Sequence, residues 1–286
     1  MSARNPSVFS VFALCLLAST AAASDFHSPR TAGLGGAGRA GPIMNDAIYL
    51  NPSFGALLPS YSVSINALYF RGPATEPDGS SFLHGRNLNA SVQDGRSELF
   101  QAGVGYTRGE SFNFLHLGAS RAFVKRFGFG IGAKLIMPRG EDGKVVRDGT
   151  LSVSLVASEW LQVVGLVDNL FESGTTLGLL REYALGTKIN VSRIILFYFD
   201  PHIAPALTPA STFGHESGAE FVMASDLFLR VGAFRNAYIP FLESRADGYG
   251  LGLGWIGPRM QLDWGMTRAL RPTAATSHIF GATLYF

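Results

Sequence analysis

From Met260 to Thr267 the chain alternates without a break. Met260, Leu262, Trp264 and Met266 fall on one face of an extended segment, and Gln261, Asp263, Gly265 and Thr267 on the other. Successive strand side chains point to opposite sides, so this period of two predicts a strand with apolar surroundings on one face and small or polar groups on the other. Tyr61 to Tyr69 repeats it, with Tyr61, Val63, Ile65, Ala67 and Tyr69 outward and Ser62, Ser64 and Asn66 inward. Phe127 to Met137 sets apolar side chains against Gly128, Gly130, Gly132 and Lys134, and Tyr249 to Trp255 alternates with Gly250, Gly252 and Gly254. Segments of this kind are predicted at 61–70, 83–93, 97–107, 112–123, 127–137, 148–157, 160–170, 182–191, 194–204, 215–224, 227–235, 246–256, 259–269 and 276–286. Each is about ten residues long, which is what a tilted strand needs to cross a bilayer. Two registers stay open. Arg86 shares a face with Leu88, Ala90 and Val92, and Ile194 to Phe199 is apolar on both faces.

The links alternate as well. Asp94–Arg96, Val124–Arg126, Ser158–Glu159, Ser192–Arg193, Ser225–Asp226 and Gly257–Pro258 read as tight turns, with longer links such as 71–82, 138–147, 171–181, 205–214 and 236–245 between them. Short turns on one side and long loops on the other are the habit of outer-membrane barrels, with both termini on the periplasmic side when the strand number is even.

Composition separates this pattern from a soluble sandwich. Only 15% of the 286 residues are charged, against about a quarter in a typical soluble domain. Hydrophobic residues reach 47% and mean hydropathy is +0.20, yet no apolar run is long enough to span as a helix. A closed barrel is the other structure that satisfies its backbone in lipid. The expected fold class is therefore all-β, a transmembrane antiparallel β-barrel of about 14 strands. A net charge of +2 with no long basic run excludes a nucleic-acid surface. The lone cysteine, Cys15, sits in the first segment, which leaves no disulfide or thiolate metal site beyond it. His27, His84, His116, His202, His215 and His278 are scattered without a pair at ligand spacing. No catalytic residue, metal or cofactor is expected, and the chain is not read as an enzyme.

The beginning of the chain does not alternate. Arg4, the apolar stretch Val8–Leu17 and Ala21-Ala22-Ala23 before Ser24 read as a signal peptide over 1–23. The expected location is the outer membrane of a Gram-negative bacterium. Residues 24–58 do not alternate and are too long for a simple lead-in, which leaves residues 59–286 as the barrel. Gly33, Gly35 and Gly38 satisfy G-x-G-x-x-G, but a dinucleotide fingerprint needs a strand before it and a helix after it, within a βαβ unit. A glycine-rich bend packed against other backbone is the expected reading. Asn45 or Asp46 is expected to cap one helical turn ending near Leu50, stopped by Asn51-Pro52. If this segment sits in the lumen, Ile48, Tyr49, Leu50, Phe54 and Leu57 must contact the inner wall, with the Asn51 side chain bonding local backbone.

Thr31 to Ala40, with Gly33, Gly35, Gly36 and Gly38, followed by Asp46-Ala47 and Asn51-Pro52-Ser53, resembles the start of the FadL-type outer-membrane transporters and related PorV-like barrels. The resemblance covers 31–58 closely and the rest through pattern alone. It implies a fourteen-stranded barrel whose N-terminal segment, residues 24–58 here, folds inward as a hatch. The family motif ends in alanine where Ser53 stands here, and the external links are shorter than those of the fatty-acid transporters. Two apolar external stretches, Ala237–Leu242 and Leu177–Leu180, are candidates for a surface entrance or for a cover packed over the barrel mouth. The implied function is passive uptake of small hydrophobic molecules, fatty acids or aromatic compounds. The alternative is a non-transporting barrel that anchors or delivers partner proteins.

Lys134, Asp168, Lys188, Glu216, Glu220, Arg230 and Asp263 are expected to face the lumen, because charge facing lipid is costly. They would either line a polar path or, as the favoured reading, brace hatch and barrel as paired charges. Phe280, Ala282, Leu284 and Phe286 share a face of the last strand and resemble the signal read by the barrel assembly machinery. Expected partners are that machinery, outer-membrane lipid and a small hydrophobic solute.

Overall fold

The computed structural model describes residues 28–43, 45–74, 82–97, 99–124, 126–139, 144–177, 179–208, 211–224 and 226–286. The expected signal peptide and the middles of the 71–82 and 138–147 links lie outside the described residues. Fourteen strands follow one another: β1 (Tyr61–Ala74), β2 (Phe82–Asp94), β3 (Gln101–Arg108), β4 (Phe112–Phe123), β5 (Phe127–Pro138), β6 (Val146–Val156), β7 (Leu161–Asp168), β8 (Glu182–Val191), β9 (Ile195–Ile203), β10 (Phe213–Ala224), β11 (Leu227–Ile239), β12 (Ser244–Ile256), β13 (Met260–Arg271) and β14 (Ala275–Tyr285). Each pairs antiparallel with its sequence neighbours, and β1 pairs with β14 to close the barrel. Every alternating segment read from the sequence overlaps one strand, although β3 begins at Gln101 where the sequence pattern starts at 97.

Pairing settles the two open registers. In β2, Asn89, Ser91 and Gln93 are buried while Leu88 is exposed, so Arg86 points outward near the strand's long-loop end. In β9, Asp200 lies opposite Glu216 on β10, which turns Tyr198, Asp200 and His202 inward and Phe197 and Phe199 outward. The outer wall carries large exposed apolar side chains around the barrel, including Ile65, Val104, Leu117, Ile131, Leu155, Leu185, Phe197, Leu253 and Phe280. A belt of this kind needs lipid to cover it. Phe280, Leu284 and Phe286 all lie on this outer face, with the Phe286 ring edge-on to Tyr61 at 5.7 Å.

Residues 28–43 and 45–58 run inside the barrel. They form α1 (Pro29–Gly33), α2 (Asp46–Leu50) and a 3₁₀ turn (Pro52–Leu57). Ser28 and Thr31 cap α1 reciprocally and Pro29 opens it, a start signal present in the sequence and overlooked there. Gly35 (φ +64°) and Gly38 (φ +130°) supply the left-handed turns that follow. Asn45 precedes α2 without capping it, because its side chain is engaged by Ser91 and Ser62 on the wall.

The inner-wall glycines are the seat of this segment. A Cβ on Gly232 would stand 2.0 Å from the Leu34 carbonyl carbon, on Gly250 2.0 Å from the Ala32 oxygen, and on Gly265 2.0 Å from the Pro29 oxygen. On the other side of the lumen, Gly130 would meet the Ser53 nitrogen at 2.1 Å, and Gly105 the Tyr49 hydroxyl at 1.9 Å. The bulk missing from the strands is therefore supplied by the segment. Ile48, Tyr49, Leu50 and Phe54 are buried, and Leu57 is half-buried.

Two expectations need correction. Asn51 does not bond local backbone: its amide donates to the Arg39 carbonyl at 2.8 Å and to Ser154 on β6 at 2.8 Å, and its oxygen accepts from Ser53. The inner wall is also not small and polar throughout. In the half nearer the long loops, Leu68, Phe70, Ile136, Phe234, Ile239 and Ile279 point inward and are buried. In β1 the apolar run continues onto both faces at Leu68-Tyr69-Phe70, so alternation alone does not show it.

Candidate functional site

The N-terminal segment carries two arginines into the barrel, and the wall answers with carboxylates. Arg30, on α1, places Nε 3.3 Å from Glu220 and donates from Nη2 to the Tyr198 hydroxyl at 2.7 Å. Glu220 also meets Arg230 at 2.6 Å, and Arg230 reaches Asp263 at 2.5 Å. Arg39, in the glycine-rich turn, meets Glu216 at 2.8 Å, Glu182 at 3.6 Å and Asp200 at 3.7 Å. Asp200 receives the backbone amides of Gly38 and Arg39 at 2.7 and 2.8 Å, so the turn is held by main chain as well as by charge. His202 stands 3.0 Å from Glu216, and Arg245 2.6 Å from Glu182. Burial disfavours the charge of Arg39, but the three carboxylates around it outweigh that and hold its pKa above the ordinary value.

The inward-facing ionisable residues expected from alternation divide three ways. Glu216, Glu220, Arg230 and Asp263 join these clusters. Lys134 and Asp168 pair separately at 2.6 Å, with Asp168 also accepting from Thr150. Lys188 is half-buried over the Tyr198 ring at 5.9 Å, with its stem close against Gly41. Sequence reasoning missed Glu182, Asp200, His202 and Arg245, and the two segment arginines that complete the pairs. Glu182 was accessible, since it shares a face with Lys188 by the period of two. Asp200 and His202 were hidden by the doubly apolar run before them.

Asp46, on α2, accepts from the Ser28 hydroxyl at 2.9 Å and ties the two helices together. Burial pushes its pKa up to about 6, against the opposing pull of Arg30 and the Ser28 hydrogen bond. A carboxyl whose pKa is raised in the seated state favours seating most when protonated. The stabilisation is full below pH 3.8 and is lost as pH rises to about 6. Protection of the amides of residues 28–58, taken relative to their unstructured exchange rates, should fall over that window in the wild type, and Asp46→Asn should flatten this part of the profile.

Beside these clusters, at the long-loop end, part of the lumen wall is apolar. Leu68, Phe70, Phe234, Ile239, Phe241 and Ile279 form one buried cluster, and Ile136, Tyr238 and Leu179 another with Phe112 and Phe114 against it. Tyr238, Ile239, Phe241, Leu179 and Leu180 are buried, so the two apolar external stretches pack down over the mouth. A cavity of about 220 Å³ remains there, lined by Phe70, Phe112, Phe114, Phe241 and Leu242 together with His84, Asn87, Glu110, Ser111 and Glu243.

Neither a protein-family model nor the sequence of a curated protein matches the chain. Solved structures do match its backbone. The toluene transporter TbuX of Ralstonia pickettii superposes with a TM-score of 0.62 at 10% identity, over 92% of this chain and 99% of that one. The toluene transporter TodX of P. putida gives 0.64 at 11% identity, over 92% and 99%. A Pseudomonas aeruginosa FadL homologue gives 0.64 at 10% identity, over 94% and 99%. The fold is that of the FadL-type transporters. Within the FadL-type fold the chain keeps a glycine-seated inner segment, and the resemblance read at residues 31–58 falls on it.

Proposed function

We propose that this chain is an outer-membrane channel for passive uptake of small hydrophobic molecules, single-ring hydrocarbons in particular, with residues 24–58 as its hatch. The observation that carries the reading is the buried apolar cluster on the inner face of β1, β11 and β14 at the long-loop end. A diffusion pore for polar solutes keeps a polar, water-filled interior. Here phenylalanine and isoleucine form the inner face at the long-loop end of β1, β11 and β14, while His84, Glu110 and Glu243 share the cavity and Glu182, His202 and Arg245 bring paired charge to the same end of β8, β9 and β12. The cavity of about 220 Å³, part aromatic and part polar in its lining, is large enough for a single ring, since roughly 150 Å³ holds benzene. Structures sharing the fold include two named as toluene transporters, in keeping with this substrate class. The charged seat beneath would hold such a solute at the mouth until the segment moves or the solute leaves sideways into lipid.

The test is initial uptake of labelled toluene, octanoate and glucose by cells that express the chain and cells that do not. Expression should raise toluene uptake severalfold and leave glucose unchanged. Phe241→Glu, which puts a carboxylate into the apolar mouth, should remove most of the gain without altering the amount of folded barrel. Equal uptake with and without the chain would sink the channel reading and favour the partner-anchoring barrel. A gain in octanoate alone would move the substrate from single rings to acyl chains.

A further inference from the structure

The link from β3 to β4 is Gly109-Glu110-Ser111, short for the long-loop side, and it sets Glu110 on the lining of the mouth cavity. Glu110 is exposed on one side, but its position is fixed. The Arg86 backbone N–H donates to its Oε1 at 2.9 Å. A Cβ on Gly85 would stand 2.5 Å from Glu110 Cγ and 2.6 Å from Phe70 Cζ. Gly85 lies opposite Phe70 across β1 and β2, so its missing side chain lets the Glu110 stem and the Phe70 ring share one space. Phe70 faces Phe241 with ring centroids 5.3 Å apart, and Phe112 faces Phe114 at 6.2 Å. The cavity thus sets aromatic walls against a polar side that holds Glu110, Glu243, Asn87 and Ser111. Among the described residues, Glu110 Oε2 accepts no hydrogen bond and neither glutamate has an ion-pair partner. Arg139 is near, but its guanidinium donates to the carbonyls of Gly109 and Glu110, at 2.8 and 3.4 Å. Glu182, Glu216, Glu220 and Asp263, by contrast, each meet an arginine.

We propose that this cavity selects single aromatic rings that carry a hydroxyl group, with Glu110 as the residue that sets the preference. The inference rests on the uptake reading above and narrows the solutes within it. The ring packs among Phe70, Phe112, Phe114 and Phe241, and its O–H donates to the free oxygen of Glu110. Asn87 and Ser111 carry the donors that suit the hydroxyl oxygen. A plain hydrocarbon fills the aromatic side equally well, but it takes water from the carboxylate and gives no hydrogen bond in return. A site that offers a polar partner discriminates against the analogue that lacks the matching group. A ring that bears a carboxylate meets two more, with no lysine or arginine on the lining among the described residues. An ammonium would be drawn by charge alone, and Glu110→Gln separates the two cases, because it removes the charge and keeps an acceptor.

The experiment is initial uptake of labelled p-cresol, toluene, benzoate and benzylamine by cells with and without the chain. The gain on expression should be severalfold larger for p-cresol than for toluene, and absent for benzoate. Glu110→Leu should raise the toluene gain and lower the ratio of p-cresol to toluene about fivefold, the worth of one net hydrogen bond. Glu110→Gln should keep most of the ratio, and unboiled gel mobility should show the folded barrel in every variant. Glu159→Gln, on an exposed turn at the opposite end of the barrel, should behave as the wild type. Toluene entering the wild type as fast as p-cresol would overturn the preference and leave the channel reading standing. An unchanged ratio in Glu110→Leu would overturn the role of Glu110. Benzylamine ahead of p-cresol, with its gain lost in Glu110→Gln, would overturn the hydroxyl in favour of an ion pair. No gain for any of the four solutes would remove the uptake reading, and this inference with it.

Discussion

Replacing Gly232 by valine is expected to turn a barrel that passes little current into one that conducts steadily in planar bilayers, a change of at least severalfold. A Cβ at this position would lie 2.0 Å from the Leu34 carbonyl carbon, 2.2 Å from its oxygen and 2.5 Å from the Gly35 nitrogen. All three are backbone atoms, so no side chain can swing aside. Valine itself suits the strand, and its outward neighbours are untouched. Gly218 and Gly250, opposite Gly232 on β10 and β12, press on the same stretch and leave it nowhere to shift. Overpacking of one well-filled site costs about 1–3 kcal/mol, and here that cost falls on a segment tied to the wall by side chains and turns. The barrel, closed by its own strand pairing, should survive. Val231→Leu, on the outer face of the same strand, is the matching control and should stay closed. Deletion of residues 24–50 should conduct like Gly232→Val. A closed channel in both the valine variant and the deletion would show that the mouth is sealed by Phe70, Phe241 and their neighbours, and the segment would no longer count as a plug.

The second large effect is expected from Arg39→Ala. Arg39 is buried against Glu216, Glu182 and Asp200, and its removal leaves these carboxylates facing one another with only His202 and Arg245 for balance. Breaking one side of a buried ion pair costs about 3–5 kcal/mol, because the remaining charge is stranded away from water. At about 1.4 kcal/mol per factor of ten, protection of the segment's amides from exchange should fall by a hundredfold or more. The strands should keep theirs. Arg39→Lys should fall between the two, since an ammonium is a point charge and cannot reproduce the forked contacts. Arg121→Ala, on an exposed outward position beside Phe123, should change nothing. Unaltered protection in Arg39→Ala would mean that His202 and Arg245 hold the carboxylates alone and that the segment is seated by its glycine contacts.

Period-two alternation was enough to determine the strand number, the limits of most strands and the lipid-facing wall. That is because a side chain's face on a strand is a local property: Leu262 and Gln261 diverge whatever lies across the barrel. The glycines at 128, 130, 250, 252 and 254 likewise announced that something else fills the lumen, since an inner face without side chains leaves space. Tertiary structure alone decided what fills it and how. Arg39 finds Glu182, Asp200 and Glu216 from three different strands, and Arg30 finds Glu220 190 residues away, through the closure of a ring that no local pattern encodes. Asn51 bonds the Arg39 carbonyl and Ser154, where turn chemistry alone points to its immediate neighbours. The apolar mouth was hidden for the same reason. Where both faces of a segment are apolar, as at Leu68-Tyr69-Phe70, periodicity loses its signal, and only the pairing of β1 with β2 and β14 turns Phe70 inward and leaves Tyr69 facing lipid.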